Sequence, residues 1–309
     1  MADCGLSELT IKANCLLAHL ALFPSYFFRP FLNMDFVDDL QRTVSLPALP
    51  GRIVSLVPSL TETLFALGAG ERVVGVTDYC THPPEGIVRV TKVGGTKDPR
   101  LEVILQLAPD LVICNDEENR CEDFRWLVEH GLPLYVTAPR TVADGIALID
   151  KLGQVLGCQN QSAAIVQTQR ALYDQLAAEM TAQPRLRVFC PIWRKPWMSF
   201  NADTYADDML WCCGGENILR ANPERYHTVT LEEVAELSPQ VVLLPSEPYP
   251  FTSKHFVHLK PLVDTLAGRA GHFYCVDGMA LCWYGPRISD GLTQFSRLFA
   301  YVRSSMDLD

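Results

Sequence analysis

The sequence predicts an α/β chain of two Rossmann-like lobes joined by a single long helix. Three observations carry that expectation. Short β-branched runs alternate with helical segments over residues 51–140 and again over 184–309, the pattern of a mostly parallel sheet with crossover helices. Leu101-Glu102-x-Ile104-x-x-Leu107-Ala108-Pro109-x-Leu111-Val112-Ile113 returns as Leu231-Glu232-x-Val234-x-x-Leu237-Ser238-Pro239-x-Val241-Val242-Leu243, thirteen positions in one register at an offset of 130. The two series therefore share one plan. Between them residues 159–181 run without Gly or Pro, and as a helix they would span about 35 Å.

The 309 residues fit about two domains. With 48% apolar and 20% charged residues the composition is globular. A net charge of −10 excludes DNA, RNA or an anionic membrane as main partner; it suits a small-molecule ligand or a basic protein surface. Eleven cysteines without a CxxC pair read as reduced, buried thiols in a reducing compartment.

The elements follow in order. Residues 13–32 are apolar but hold His19, Pro24, Arg29 and Pro30, too interrupted for a membrane span. No A-x-A cleavage site follows. Residues 1–50 are expected to be an extension, with Met34 as an alternative start, and the location cytoplasmic, or periplasmic if this segment is an atypical signal. The run at 53–57 reads as a buried strand, and Ser59 with Glu62 as a capping box opening a helix that ends at Gly68 or Gly70. Strands are expected at 73–76, after the helix that breaks at Pro109, and at 132–138. Bridging helices occupy 141–183, split by Gly157, with the long helix at about 159–181 and Pro184 closing it. The second lobe, 184–309, reads as a strand at 186–193, a helix at 204–213, the repeated helix and strand of 231–244, a helix near 258–267, a strand at 273–276 and a last helix from about 286 to 304. Cys114, Cys190 and Cys275 fall in expected strands as small buried residues.

No GxSxG, P-loop or GxGxxG motif is present, so hydrolytic and nucleotide chemistry have no visible machinery. His255-x-x-His258 could share a helical face, but no third ligand is fixed, and a surface helix is the simpler reading. Cys212-Cys213 diverge by about 100° on a helix, and Cys80-Thr81-His82 lies in a loop; no metal site is assigned. Loops after expected strands carry Tyr79, Trp193, Trp197, Tyr226, Tyr249, Phe251, Trp283 and Tyr284. Ligands of open α/β sheets bind outside the carboxyl ends of the strands, and rings supply apolar faces with polar tips. A large flat or macrocyclic ligand fits that set better than a sugar or an ion. Arg194 and Lys195 between two tryptophans could meet its carboxylates or phosphates. Arg287 opens the last helix, where a cation is unfavourable, which calls for a partner, a ligand or a cross-lobe acid. Asp116-Glu117-Glu118 reads as a solvated acidic loop, with a cationic ligand edge as the alternative. Glu102 and Glu232 are either first-turn acids favoured by the helix dipole or twin carboxylates presented to one partner.

Residues 52–84, LEVILQLAPDLVI, the long helix, CGGENIL (213–219) and PRISDGL (286–292) resemble the helical-backbone metal-receptor superfamily, and its cobalamin-binding members in particular; other members bind iron-siderophores and haem. The resemblance covers about 50–305. It implies the class III periplasmic-binding-protein fold, no enzymatic activity and no covalent cofactor. Tyr79 falls where the cobalamin binders have a ligand-contacting tyrosine, Tyr226 where they have a tryptophan, and Thr96 where they have another tryptophan, so one aromatic wall is missing. PIWRKPWMSF (191–200) and LLPSEPYPF (243–251) are not shared with them. Glu102 and Glu232 match the acids by which the family docks onto the membrane subunits of an ABC transporter. The expected function is binding of a corrinoid or related metal chelate between the lobes by Tyr79, Trp193, Arg194, Trp197, Tyr226, Glu247, Tyr249, Trp283, Tyr284 and Arg287. The alternative is an intracellular enzyme or metal-cofactor handling factor on the same fold, with Glu247 as its acid of perturbed pKa.

Overall fold

The computed structural model describes residues 33–306. The apolar stretch 13–32, Cys4 and Cys15 lie outside the described residues. A hairpin comes first, β1 (Met34–Val37) antiparallel to β2 (Thr43–Leu46). Asp38 in its turn is fully buried; it accepts from the Arg42 guanidinium at 2.6 Å and from the Val136 amide at 3.3 Å. Residues 34–46, read from the sequence as extension, are therefore pinned to the first lobe.

That lobe runs β3 (Ile53–Ser55), α1 (Pro58–Ala66), β4 (Val73–Val76), α2 (Pro84–Ile87), β5 (Thr91–Lys92), α3 (Leu101–Gln106), β6 (Leu111–Asn115), α4 (Cys121–Glu129) and β7 (Leu134–Thr137). Its sheet is parallel, in the order β5-β4-β3-β6-β7. Every residue of β3, β6 and β7 is buried, because helices cover both faces of a parallel sheet. The expected capping box at α1 does not form: Pro58 holds the first turn, no side chain caps it, and Ser59 is buried. Glu62 turns away to another partner described below.

Two helices bridge the lobes. In α5 (Val142–Leu156) Thr141 and Asp144 form a reciprocal cap, and Gly157 ends it at φ 67°, the left-handed conformation that glycine tolerates. The following α6 (Gln159–Met180) has 22 residues, about 33 Å of helix. Only Ser162, Gln169 and Leu176 of α6 are buried, a stripe at seven-residue spacing that lies along its neighbours while the rest meets solvent.

The second lobe runs β8 (Leu186–Phe189), β9 (Trp193–Arg194), β10 (Trp197–Phe200), α7 (Tyr205–Cys212), β11 (Gly215–Asn217), β12 (Tyr226–Thr228), α8 (Leu231–Glu236), β13 (Val241–Pro245), α9 (Leu266–Ala270), β14 (Phe273–Val276), α10 (Gly278–Cys282) and α11 (Ile288–Met306). Its main sheet is parallel, β11-β8-β13-β14, and β12-β10-β9 form a small antiparallel sheet beside it. The helix expected near 258–267 is instead a 3-10 segment, Ser253–Leu262, followed by α9; Pro261 inside it lacks the amide that a regular helix needs. Cys275 is exposed, not buried, since β14 is the edge of its sheet. Cys114 and Cys190 are fully buried.

The internal repeat reaches the backbone. Ala108 and Ser238 both adopt left-handed φ, 44° and 45°, which costs a non-glycine residue about 1–2 kcal/mol. Each site is clamped alike: the Arg52 guanidinium donates to the Leu107 carbonyl and that of Arg187 to the Leu237 carbonyl, while the Asp110 and Gln240 amides donate to the Arg52 and Arg187 carbonyls at 2.8 Å.

Candidate functional site

The carboxyl ends of both parallel sheets bring their loops to the cleft between the lobes. From the first lobe come Tyr79 after β4, Asp116-Glu117-Glu118 after β6 and Arg140 after β7. From the second come Trp193 after β8 and Glu247 to Tyr249 after β13. Four aromatic side chains are exposed among the described residues: Tyr79 at 63%, Trp193 at 42%, Tyr226 at 41% and Tyr301. Three of these four belong to the loops and the small sheet at the strand ends, while Tyr301 lies far along α11.

Each exposed ring has a reason for its place. Tyr79 lies beside Gly95, where an added Cβ would touch the ring at 3.4 Å. Trp193 pairs with Met198 and Arg194 with Trp197 in the β9–β10 hairpin, and Phe200 pairs with Tyr226 on the next strand. Trp193, Trp197 and Tyr226 thus share one small sheet. Trp197 stacks flat on Phe251, centroids 5.8 Å apart and 3° between planes. Tyr249 meets Phe251 at 4.6 Å and the Trp193 ring edge-on at 5.4 Å. Those contacts half-bury Trp197 and Tyr249 and prop Trp193 outward, each pair contributing about 0.5–1.5 kcal/mol beyond area.

Deeper in, the second lobe presents a closed wall. Trp283 and Tyr284 are buried, each only 8% exposed. The Trp283 indole N–H donates to Glu247 Oε2 at 2.9 Å, and its ring meets His82 of the first lobe edge-on at 6.0 Å. Tyr284 packs edge-on against Tyr205 at 5.8 Å. Arg287 lies over Trp283 at 5.4 Å and donates from Nε to Glu62 Oε2 at 2.7 Å. Of the partners open to Arg287 in the sequence, the structure shows the cross-lobe acid. Burial pushes the Glu247 carboxyl above its ordinary range, with the Trp283 bond pulling back.

In the acidic loop after β6 Glu118 is exposed, as the sequence suggested, but Asp116 and Glu117 are half-buried and paired. Arg140 pairs with Asp116 at 2.8 Å and with Glu117 at 3.1 Å. Arg225 of the second lobe stands 3.8 Å from Glu117 and 3.0 Å from Asp203, and the Tyr226 hydroxyl donates to Glu117. The lobes are therefore in contact at the mouth of the cleft. Burial raises both carboxyls, chiefly against the arginines' downward pull. Sequence reasoning missed Arg140 and Arg225; the signal was available, since Arg140 ends the loop after an expected strand and Arg225 directly precedes a flagged ring.

Arg194 is half-buried and Lys195 exposed at the hairpin turn. His255 is occupied at Nδ1 by the Thr252 amide, 2.9 Å away, and its ring lies 6.3 Å from that of His258. No group of three or more His, Cys, Asp or Glu that could hold a metal occurs among the described residues, and Cys80, Cys114, Cys158, Cys190, Cys212, Cys213, Cys275 and Cys282 are free thiols. Glu102 and Glu232 are exposed in the first turns of the equivalent helices α3 and α8. A separate cavity of about 540 Å³, lined by Arg185, Leu186, Gln240, Arg303 and neighbours without any aromatic ring, opens at the amino ends of β8 and β13, the end away from ligand sites in open sheets.

Residues 53–278 match the family model described as periplasmic binding protein. The vitamin B12-binding protein of Vibrio vulnificus is 26% identical over 266 residues, 84% of this chain and 94% of that protein. Its counterpart in Vibrio parahaemolyticus is 27% identical over 204 residues, 66% of this chain and 71% of that protein. The periplasmic haem-binding protein RhuT of Roseiflexus sp. RS-1, in apo form, superposes with a TM-score of 0.71 at 27% identity, covering 81% of this chain and 98% of that one. The periplasmic vitamin B12-binding protein BtuF of Vibrio cholerae superposes at 0.73 with 21% identity, covering 82% and 98%, a likeness of fold. These neighbours have the two-lobed class III architecture. No helix among the described residues is long and apolar enough to cross a membrane.

Proposed function

We propose that this chain, which belongs to the periplasmic binding protein family, holds a flat metal chelate of the cobalamin or haem kind without covalent attachment in the cleft between its lobes. The observation that carries the reading is the placement of three of the four exposed aromatic rings, Tyr79 from one lobe and Trp193 and Tyr226 from the other, at the strand ends. Exposed rings in water are unfavourable, at about 25 cal/mol per Å² of apolar area, and rings on both lobes suit a ligand with two faces. Trp197 and Tyr249 support Trp193. Arg194 contributes a polar anchor. Glu247, Trp283, Tyr284 and Arg287 form the wall behind. Relatives of this chain are described as binding proteins, and an enzyme built on Glu247 finds no support in them.

Delivery to an ABC transporter through Glu102 and Glu232 is part of the same reading, as is the periplasm as location, which the relatives favour over the cytoplasmic expectation drawn from the thiols. Titration of the purified protein with cyanocobalamin, hemin and a ferric siderophore tests it. A shifted visible spectrum and a raised melting temperature with at least one of them are expected. A melting temperature indifferent to all three would overturn it.

A further inference from the structure

The lobes touch in two places. Deeper in, the contacts are packed. Arg287 donates to Glu62 at 2.7 Å and Trp283 meets His82 edge-on. Gly285 lies so close to Thr63 of α1 that an added Cβ would clash with its hydroxyl. At the mouth the cross-lobe contacts converge on one side chain. Glu117 of the first lobe accepts from the Tyr226 hydroxyl of the second, and Arg225 stands 3.8 Å from its other oxygen.

Both sides of this mouth contact are firmly held. The Asn115 side-chain oxygen accepts the Glu117 amide at 2.9 Å and the Glu118 amide at 3.0 Å, and the Lys97 ammonium donates to the Glu117 carbonyl. Tyr226 lies in β12, in register with Phe200 of β10. The Tyr226 side chain therefore crosses from lobe to lobe between two fixed supports, at the strand ends where Tyr79 and Trp193 are exposed.

Opening the mouth leaves neither charge bare. Glu117 keeps Arg140 of its own lobe at 3.1 Å, and Arg225 keeps Asp203 of its own lobe at 3.0 Å. Breaking an ion pair is most costly when it strands an uncompensated charge, and here each partner has a second one at home. The Tyr226 hydroxyl exchanges Glu117 for water, a small net change. Burial raises the Glu117 carboxyl above its ordinary range against the pull of Arg225 and Arg140, so the closed arrangement burdens this acid. A contact with these properties is a fastening that releases.

We propose that Tyr226, Arg225 and Glu117 form a latch that holds the free chain shut across the mouth of the cleft. On the chelate-binding reading above, on which this step rests, the latch opens before a ligand enters, and the Tyr226 ring is then free to meet it. A binding-competent state that is populated only part of the time lowers apparent affinity by that fraction.

Two variants test the latch. Tyr226→Phe removes the hydroxyl and keeps the ring; Glu117→Ala removes the acceptor. Hydrogen exchange is measured on the unliganded proteins, and hemin association by stopped-flow tryptophan quenching. Both variants should exchange faster in residues 115–120 and 222–228, with α6 unchanged, and should take up hemin at least threefold faster than wild type. Where wild type binds hemin, a Tyr226→Phe chain with wild-type exchange and wild-type association would overturn the latch, as would faster exchange without faster association. If hemin and cyanocobalamin bind none of the three proteins, the chelate reading fails, and the latch then stands on faster exchange in the two segments and falls without it.

Discussion

Arg287 Nε donates to Glu62 Oε2 at 2.7 Å, joining the residue before α11 to helix α1 across the two lobes. The side chains are 17% and 18% exposed, between the surface case, where an ion pair contributes little, and the buried case, where breaking one side costs several kcal/mol. Arg287→Met or Glu62→Gln alone should cost about 1–2 kcal/mol of unfolding free energy, measured by urea denaturation. The double variant should lose less than the two single losses together, which a mutant cycle isolates. Strict additivity would show that the pair carries no coupling.

Glu117 gives the acid–base prediction. Burial raises its pKa in the folded protein above the ordinary glutamate value of 4.5, so the folded state binds this proton more tightly than the unfolded one. Below 4.5 the group is protonated in both states and burdens neither. As pH rises from there through the raised folded value, stability falls, and above it the loss is constant. Gln does not titrate. The urea midpoint of wild type relative to Glu117→Gln should therefore decline from acid toward neutral pH. A difference that grows over that range would mean that Arg140 and Arg225 outweigh burial.

Glu102 and Glu232 stand exposed on equivalent helices of the two lobes. Charge reversal at both, to Lys, should leave chelate affinity within about twofold and the fold intact, since each costs only a few tenths of a kcal/mol at a helix first turn. In cells that depend on this chain for uptake, import should stop. Lost affinity in the purified variant would place these residues in the ligand site instead.

Thiol chemistry checks the burial pattern. Cys275 on the edge strand β14 is exposed and partial burial raises its thiol somewhat, whereas full burial lifts Cys190 and Cys114 far above the ordinary thiol range. With a thiolate-specific reagent at about pH 8.5, near the pKa of a free thiol, Cys275→Ser should remove one fast-reacting equivalent per chain, and rates should climb with pH. An unchanged fast count would show that β14 is covered in solution.

Much of the fold could be read because parallel strands buried on both faces are continuous apolar runs, as in Leu111–Asn115 and Val241–Pro245. The repeat made the two-lobe plan visible before any contact was known. Side-chain partners were harder. Ser59 and Glu62 have the spacing of a cap, but Glu62 has its partner 225 residues away, a relation that no local pattern encodes. Asp116 and Glu117 look solvated in sequence because Arg140 and Arg225 reach them from other loops. The rings were found and their exposure was not. Trp193 and Trp283 both follow expected strands, yet the first is 42% exposed and the second 8%. That difference comes from what packs on each ring, His82 of the other lobe and Arg287 on Trp283 against Tyr249 on Trp193, and such neighbours are distant in the chain.

The stripe on α6 has a mechanical consequence. Its central residue is polar: the Gln169 side-chain amide donates to the Gly285 carbonyl at 2.8 Å, two residues before Arg287. A greasy seam would let the helix slip along its neighbours, because one apolar contact replaces another. A keyed seam does not, since sliding by one turn, about 5.4 Å, would strand a buried amide at a cost of about 1–3 kcal/mol. Gln169 thereby works as a key in its slot, fixing where α6 lies along the segment that leads into α11.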